Sequence, residues 1–382
     1  MIRLLTIIGA RPQIIKAAAI SRTIKNGFTN IIVEKILHTG QHYDANMSQI
    51  FFDELGIPLP DYNLNIGSGL HGEQTAKMIS GIENVLLENK MDGVIVYGDT
   101  NSTLAGAIAA SKLHIPIFHI EAGLRSYNMD MPEEVNRIVC DQLSSILFVP
   151  TCTAVGNLRK EGYEDSPAVF SEGRKREICN SGDIMYDNSV YYAAIADVKS
   201  TILSKNKLTP GKYVLTTIHR DNNTDSSARL SAIFNALIYI SQEFHTKVVL
   251  PIHPRTFKQI ETNLSKEMKN KIQESDKLLI IPPVSYLDMI SLEKNSYMII
   301  TDSGGVQKEA FFFEKPCIIL RGETEWVEII NNKAGILVDA DESKIISAYN
   351  ELLARNIAFF NLFGDGQASE IILSKIVAYF NH

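Results

Sequence analysis

The sequence has few cysteines, no long apolar run and no excess of positive charge. Its 382 residues include four cysteines without a CxxC pair, so neither a structural zinc site nor a disulfide framework is indicated. Reduced thiols fit a cytoplasmic protein. No apolar run approaches the roughly 18 residues that span a membrane. The first residues, MIRLLTIIG, are too soon interrupted for a signal peptide. A net charge of −7 argues against a nucleic-acid-binding protein.

Several catalytic and cofactor-binding motifs are also missing. The sequence contains neither GxGxxG nor GxxxxGK[ST], so we expect no dinucleotide fingerprint and no NTPase phosphate loop. It contains no GxSxG and no HExxH, which argues against a hydrolase nucleophile elbow and a zinc peptidase. We therefore expect neither a metal nor a redox cofactor.

Short β-branched runs alternate with amphipathic stretches along the whole chain. This alternation predicts an α/β protein with parallel sheets that are covered on both faces. Predicted strands are 2–8, 31–37, 93–97, 115–120, 146–149, 213–218, 247–252, 278–282, 297–301, 316–320 and 335–338, and predicted helices are 13–25, 74–89, 102–113, 133–145, 227–243 and 305–314.

The length favours two domains. Residues 171–177 are highly charged and residues 199–211 are polar, so a boundary is predicted between about 170 and 210. We expect an N-terminal Rossmann-like domain over 1–180 and a C-terminal one over 185–365, each doubly wound, facing each other across a cleft. The last helix, 366–382, can return to either domain, and we expect it to join the first.

Charged or glycine-rich groups follow six of the predicted strands. In open parallel sheets, ligands bind beyond the carboxyl ends of the strands. A ligand site is therefore predicted at these ends in both halves of the chain, at 9–12, 98–100, 121–123, 219–220, 253–255 and 302–305.

Ser303, Gly304 and Gly305 open a predicted helix, whose free N–H groups suit a phosphate. Ordinary capping by Asp302 or Ser303 explains the same residues equally well. Glu309, further along the helix, can accept ribose hydroxyls, and Arg321 can clamp a phosphate. A solvated surface pair is the alternative interpretation of these two charges.

The stretch Pro132-Glu133-Glu134 is typical of a helix start, so acids there need no functional explanation. However, Glu133 and Arg137 share one helix face, which allows a joint site. His219 ends a predicted strand and is a candidate phosphate ligand, whereas His253 can simply brace a turn.

The order of these blocks resembles the non-hydrolysing UDP-N-acetylglucosamine 2-epimerases, which have a two-domain glycosyltransferase-B-type fold. The match runs nearly end to end. It comprises GARP at 9–12 with Lys16, GDT at 98–100, HIEAGLR at 119–125, PEEVNR at 132–137, TIHR at 217–220, TDSGG at 301–305 and 321–325.

Other stretches resemble the UDP-2,3-diacetamido-2,3-dideoxyglucuronate 2-epimerases, which act on a sugar nucleotide destined for surface polysaccharide. Two residues depart from the UDP-N-acetylglucosamine enzymes: Met289 where those have an aromatic residue near the uracil, and Gly69 where they have a glutamine of an allosteric site. These departures weaken the expectation of activation by a second UDP-N-acetylglucosamine. The branch-like stretches are HTGQHYD at 38–44, NMS at 46–48, GLHGEQT at 69–75, SYNMDMP at 126–132 and VQKEAFFF at 306–313.

The resemblance implies a cofactor-free isomerase, a UDP-sugar substrate and a homodimer. It assigns catalysis to Asp99, Glu121 and Glu133 together with His219, without settling which carboxylate is base and which is acid. It implies that the substrate is bound by Arg11, Lys16, Gln41, Arg137, His219, Met289, Ser303, Gly304, Gly305, Glu309, Arg321 and Glu325.

The C2 proton of a 2-acetamido sugar is not next to a ring carbonyl, so direct deprotonation is costly. Expulsion of UDP from C1 lets a base remove that proton in an elimination. Return of a proton to the opposite face of C2, with re-addition of UDP at C1, then inverts C2. The site must then supply a base, an acid and charge stabilisation for UDP. A retaining glycosyltransferase, a hydrolysing relative and a non-catalytic nucleotide-binding module remain as alternatives.

Overall fold

The computed structural model describes residues 1–41, 56–164, 168–171 and 174–381. The chain divides into two compact units, of which the first comprises residues 1–188 with 361–382 and the second 189–360. The division falls inside the helix Ile184–Lys199, and the polar stretch 199–211 contains the short helix Ile202–Lys205. Of the branch-like stretches, residues 42–44 and 46–48 lie outside the described residues.

The first unit contains an eight-stranded sheet in the order β3-β2-β1-β4-β5-β6-β8-β7. All neighbours pair parallel except β7 and β8, which form an antiparallel edge. The strands are β1 (Ile2–Ile8), β2 (Ile32–His38), β3 (Tyr62–Asn63), β4 (Gly93–Tyr97), β5 (Ile117–Ile120), β6 (Ile146–Val149), β7 (Ala168–Ser171) and β8 (Arg174–Asn180).

Helices of the first unit connect and cover these strands. Apolar residues of β1 and β4, such as Leu5 and Val96, pack in one core with Met78 and Ile82 of a covering helix. The helices are Arg11–Thr23, His71–Glu88, Asn101–Lys112, Pro132–Leu143, Cys152–Lys160, the start of Ile184–Lys199, and Ala368–Phe380, and a π-helical turn spans Ile24–Phe28.

The second unit contains a six-stranded, all-parallel sheet in the order β11-β10-β9-β12-β13-β14. Its strands are β9 (Tyr213–Thr217), β10 (Lys247–Pro251), β11 (Leu278–Ile281), β12 (Met298–Thr301), β13 (Cys317–Ile319) and β14 (Gly335–Leu337). Its helices are the rest of Ile184–Lys199, Ile202–Lys205, Asp221–Thr224, Ser227–Glu243, Pro254–Asn263, Lys266–Glu274, Tyr286–Asn295, Gly304–Phe312, Val327–Asn331 and Glu342–Ala354.

Both sheets share the doubly wound order 3-2-1-4-5-6 over their first six strands. In this order the chain first moves outward on one side of strand 1 and then continues on the other side, beginning with strand 4. The switch points therefore lie between β1 and β4 and between β9 and β12, where a crevice opens beyond the strand ends. The predicted α/β class with two doubly wound sheets is confirmed.

The last helix, Ala368–Phe380, belongs to the first unit. The Asp187 carboxylate accepts hydrogen bonds from the backbone N–H groups of Ala368 and Ser369 at 3.0 and 2.8 Å, which satisfies the start of that helix. At its other end, the ring of Phe118 on β5 packs nearly perpendicular to the rings of Tyr379 and Phe380. A carboxylate cap and an aromatic cluster thus fix both ends of the helix.

Candidate active site

In the first unit, Gln13 ties together the two loops that meet at the switch point. Its side-chain oxygen accepts from the N–H groups of Gly9 and Ala10, at 2.8 and 3.1 Å. Its side-chain amide donates to the carbonyl of Tyr97 and the hydroxyl of Thr103, both at 2.9 Å. The loop after β1, which leads to the exposed Arg11, is therefore fixed against the loop after β4.

The predicted catalytic residue Asp99 follows β4 at this switch point. Its carboxylate accepts from the Arg137 guanidinium at 2.5 Å, and its backbone carbonyl accepts from the Asn136 amide at 2.8 Å. Burial raises the pKa of Asp99 above its ordinary value, the charges of Arg137 and Lys16 oppose that rise, and nearby Glu121 and Glu133 add to it. A carboxyl with a raised pKa is suited to proton transfer near neutral pH.

Glu121 follows β5, the neighbouring strand, and faces the same cluster. Its carboxylate pairs with Lys16 at 2.6 Å, and both side chains are largely buried. The backbone of Glu121 has φ = +69°, a left-handed conformation that is costly for a non-glycine residue. Such strain is found where the surrounding structure fixes a side chain for function.

The two glutamates at the start of helix Pro132–Leu143 have different environments. Glu133 is exposed, yet it lies near enough to Asp99 to affect its pKa. Glu134 is fully buried and accepts from the N–H groups of Ser126 and Tyr127 and from Arg137. Arg137 pairs with both Glu134 and Asp99. The buried Glu134 therefore fixes the arginine that is predicted to share a helix face with Glu133.

A fully buried histidine supports the loop that carries Asp99. His119 on β5 contacts the Asp141 carboxylate through Nδ1 at 2.7 Å and the Gly98 carbonyl through Nε2 at 2.8 Å. Asp141 also pairs with Arg125 at 2.7 Å. Burial alone would raise the pKa of Asp141, but its bonds to His119 and Arg125 hold it below the ordinary value. His119 is therefore a structural residue of the site.

Gln41, predicted to bind substrate, contacts the start of helix Asn101–Lys112. Its side-chain oxygen accepts from the backbone N–H and the hydroxyl of Ser102, at 3.2 and 2.7 Å. Gln41 therefore lies beside the β4 strand end, next to the loops that Gln13 joins.

In the second unit, Asp302 organises the loop after β9. Its fully buried carboxylate accepts from the backbone N–H groups of His219 and Arg220 and from the Asn223 amide. It also contacts Nδ1 of His219 at 3.0 Å, while 47% of the His219 side chain remains exposed. Burial would raise the pKa of Asp302, but these bonds hold it below the ordinary value. A carboxylate only accepts, so Nδ1 carries a proton and Nε2 is left for a ligand.

The glycine-rich turn at 303–305 begins the helix Gly304–Phe312 at the second switch point. Ser303 is its cap, because the hydroxyl accepts from the Val306 N–H at 3.4 Å, whereas Asp302 serves the β9 loop instead. A Cβ on Gly304 would lie 2.8 Å from the carboxylate of Glu325, which pairs with Arg321 at 3.0 Å. The helix start, Arg321 and Glu325 thus form one cluster, and the first N–H groups of the helix can hold an anion.

Glu309 and Met289 lie on adjoining helices behind this turn. Glu309 is largely buried on the helix Gly304–Phe312, and Met289 is half-buried on Tyr286–Asn295. The predicted residues are therefore divided between the two units. The first group is Arg11, Lys16, Gln41, Asp99, Glu121, Glu133 and Arg137, and the second is His219, Met289, Ser303, Gly304, Gly305, Glu309, Arg321 and Glu325.

Two kinds of site are not found in the part of the chain that the structure describes. No group of three or more His, Cys, Asp or Glu side chains is arranged to hold a metal ion. No described helix has both the length and the apolar character that crossing a bilayer requires.

Comparison with known proteins gives one consistent result. The profile of the family described as UDP-N-acetylglucosamine 2-epimerase matches residues 28–377. The chain is 49% identical to the UDP-2,3-diacetamido-2,3-dideoxy-D-glucuronate 2-epimerase of Pseudomonas aeruginosa, covering 99% of both chains. It is 47% identical to a UDP-N-acetylglucosamine 2-epimerase homolog of Methanococcus maripaludis, covering 98% of this chain and 99% of that one.

A solved structure agrees with these sequence matches. The UDP-GlcNAc 2-epimerase of Methanocaldococcus jannaschii, in complex with UDP-GlcNAc and UDP, superposes with a TM-score of 0.84 at 42% identity, covering 99% of this chain and all of that one. The fold is therefore of the glycosyltransferase-B type that the sequence resemblance implies.

Proposed function

The chain belongs to the UDP-N-acetylglucosamine 2-epimerase family, and we propose that it inverts C2 of a UDP-2-acetamido sugar, with UDP-2,3-diacetamido-2,3-dideoxyglucuronate as the substrate. As a member of this family it is an isomerase. The 49% identity to the Pseudomonas enzyme, end to end, supports this choice of sugar. UDP-N-acetylglucosamine is the second candidate, because the Methanocaldococcus enzyme shares 42% of its residues and the whole fold.

The carboxylate cluster of the first unit carries the proposal. Asp99 and Glu121 follow adjacent parallel strands, and Glu133 lies near them, so the cluster contains enough carboxyl groups for a base and an acid. Lys16 and Arg137 hold two of these groups in place. Elimination of UDP and its re-addition need an acid and a base. We assign these roles to the cluster without fixing which carboxylate takes which.

The second unit supplies the groups proposed to bind UDP. The N–H groups at Ser303–Gly305 and the His219 side chain would hold the diphosphate, where negative charge develops as UDP leaves. Glu309 would accept the ribose hydroxyls, and Met289 would contact the uracil. Arg321 and Glu325 would lie at the sugar. Of the first unit, Arg11, Lys16 and Arg137 would add positive charge, and Gln41 would contact substrate.

We further propose that the enzyme works as a cytoplasmic homodimer in the synthesis of surface polysaccharide. Supporting this are its family, the lack of CxxC pairs in the sequence and the sugar on which the Pseudomonas relative acts. Analytical ultracentrifugation of the purified protein tests the dimer directly.

The experiment that tests the reaction is incubation with each UDP-sugar in D₂O, without acceptor or added cofactor, followed by NMR. Elimination removes the C2 hydrogen, so the epimeric product should carry deuterium at C2. Release of free sugar and UDP would indicate a hydrolysing enzyme, and turnover only with an added acceptor would indicate a glycosyltransferase. Epimeric product without deuterium at C2 would rule out the elimination mechanism.

A further inference from the structure

A second carboxyl group, that of Glu293, is buried beside Glu309. Glu293 belongs to the helix Tyr286–Asn295, and its side chain is fully shielded from solvent. Both carboxyl oxygens are sealed inside the fold, and no N–H or hydroxyl group of the described residues donates to either. The ionisable neighbours of Glu293 are the carboxyl of Glu309, on the adjoining helix Gly304–Phe312, and the phenol of Tyr213, whose hydroxyl donates to the Leu292 carbonyl.

This environment determines the protonation state of Glu293. A buried carboxylate without a donor or a cation is very costly, so such a group takes up a proton instead. Burial, together with the neighbouring Glu309, raises the pKa of Glu293 well above its ordinary value. As a neutral acid, Glu293 has one O–H to donate, and Glu309 is the acceptor beside it.

We propose that Glu293 is a positioning residue, whose neutral carboxyl group holds the Glu309 carboxylate in the orientation that accepts the ribose hydroxyls of UDP. The proposal rests on the proposed function for the identity of the ligand. A hydrogen bond from Glu293 to one oxygen of Glu309 fixes the rotamer of Glu309 and so directs its carboxylate toward the ribose. Unlike a backbone contact, this support can be removed by a single substitution.

The position of Glu293 along its helix agrees with this role. Met289 lies four residues earlier, so the two side chains share a helix face. On that face, Met289 would contact the uracil directly, and Glu293 would act on the ribose through Glu309. A neutral Glu293 also limits the pair to one negative charge, which lessens repulsion of the diphosphate at the start of the helix Gly304–Phe312.

The test compares two variants of Glu293 with two ligands. Glu293→Gln keeps a donor of similar shape, whereas Glu293→Met keeps the length and removes the donor. Binding of UDP and of 2′,3′-dideoxy-UDP, which lacks both ribose hydroxyls, is measured by calorimetry. We expect Glu293→Met to weaken UDP binding about 3- to 10-fold, the effect of one hydrogen bond, and to leave dideoxy-UDP binding unchanged. Glu293→Gln should retain UDP binding within about twofold.

Equal losses for both ligands in Glu293→Met would show a merely structural role, and no loss for either would remove Glu293 from the site; each result overturns the proposal. Infrared spectroscopy provides a second measurement if Glu293→Met does not fold. At neutral pH the wild-type protein should show the carbonyl band of a protonated carboxyl group, and Glu293→Gln should lack it. Identical spectra in that region would also overturn the proposal.

Failure of this inference can be distinguished from failure of the proposed function. The Glu309→Gln variant serves as the reference, and it should lose UDP affinity but not dideoxy-UDP affinity. If it shows no such preference, the positioning role is wrong even when the wild-type enzyme epimerises its substrate. If the preference holds but no epimerisation occurs, only the proposed reaction is wrong.

Discussion

The same substitution, glutamate to glutamine, should affect different properties at the two adjacent glutamates that begin helix Pro132–Leu143: stability at Glu134 and turnover at Glu133. Glu134 is fully buried and accepts from Ser126, Tyr127 and Arg137, the last at 2.6 Å. Glu134→Gln keeps the shape but places an amide among these donors. A hydrogen bond to a charged group contributes about 1.5–3 kcal/mol, and breaking a buried ion pair costs about 3–5 kcal/mol. Because Arg137 keeps Asp99 as a partner, we expect Glu134→Gln to lower the unfolding free energy by about 3 kcal/mol, the lower end of the range for a broken ion pair.

Glu133→Gln is the matched control, one residue away. Glu133 is exposed, so its substitution should change the unfolding free energy by less than about 0.5 kcal/mol. If Glu133 transfers a proton, the variant should instead lose about 10²–10⁴-fold in turnover. Urea unfolding followed by circular dichroism measures the first quantity, and the epimerase assay measures the second. The reasoning is refuted if Glu133→Gln is as destabilised as Glu134→Gln, or if Glu134→Gln is as stable as the wild type.

The pH dependence of the same pair gives an internal check. Although burial opposes it, hydrogen bonds from the backbone of Ser126 and Tyr127 and the charge of Arg137 hold the pKa of Glu134 below its ordinary value. A carboxyl whose pKa is lowered on folding stabilises the protein above its unfolded-state pKa, near 4.5, and loses that contribution as the pH falls through the lower folded value. The stability difference between wild type and Glu134→Gln should therefore be full at pH 7 and shrink below pH 4.5.

Three further outcomes are expected. Burial raises the pKa of Glu34 from 4.5 to about 7, so between these pH values the folded state holds a proton that the unfolded state releases. The unfolding free energy should therefore fall by about 3 kcal/mol as the pH rises from 4.5 to about 7, and urea titrations of Glu34→Gln at several pH values should lack that fall. Gly9→Ala would place a Cβ 2.0 Å from the Ser102 hydroxyl, so its thermal midpoint should drop and its turnover fall, whereas an unchanged midpoint would contradict the described packing. Asp187→Ala removes the cap from Ser369 and should cost about 1–2 kcal/mol, measured by urea unfolding, with Asp187→Asn losing less.

The sequence predicts most strands of both sheets to within one or two residues, because buried parallel strands are short apolar runs with polar ends. It fails at β3, β7 and β8. β3 has two residues and thus no pattern. β8 begins Arg-Lys-Arg-Glu and was interpreted as a charged boundary, yet it pairs with β6, and its Glu177 forms an ion pair with Lys375 of the last helix. Tertiary pairing, rather than local composition, makes this segment a strand.

The site was predictable at the level of strand ends but not of individual partners. The rule that ligands bind beyond carboxyl ends points to Asp99, Glu121 and His219. It cannot show that Glu134 is buried while Glu133 is exposed, since this depends on how the helix packs against the loop at Ser126 and Tyr127.

Other supporting residues were missed for the same reason. Asp302 is predicted as one of the strand-end groups or as a helix cap, whereas in the structure it organises the loop of His219. Gln13 and Asp141 have no motif of their own. One feature of the sequence could have indicated Glu293. It lies three residues after Ile290 and seven after Tyr286, so it shares the buried face of their helix.

The return of the helix Ala368–Phe380 to the first unit has a consequence for the order in which the protein is made. Translation produces the strands of the first unit, then the entire second unit, and only then this helix. Until it arrives, Phe118 lacks Tyr379 and Phe380, and Asp187 has no helix to cap. The unit that contains Asp99, Glu121 and Glu133 is therefore completed only after the second unit has been synthesised, although residues 1–188 precede that unit in the chain.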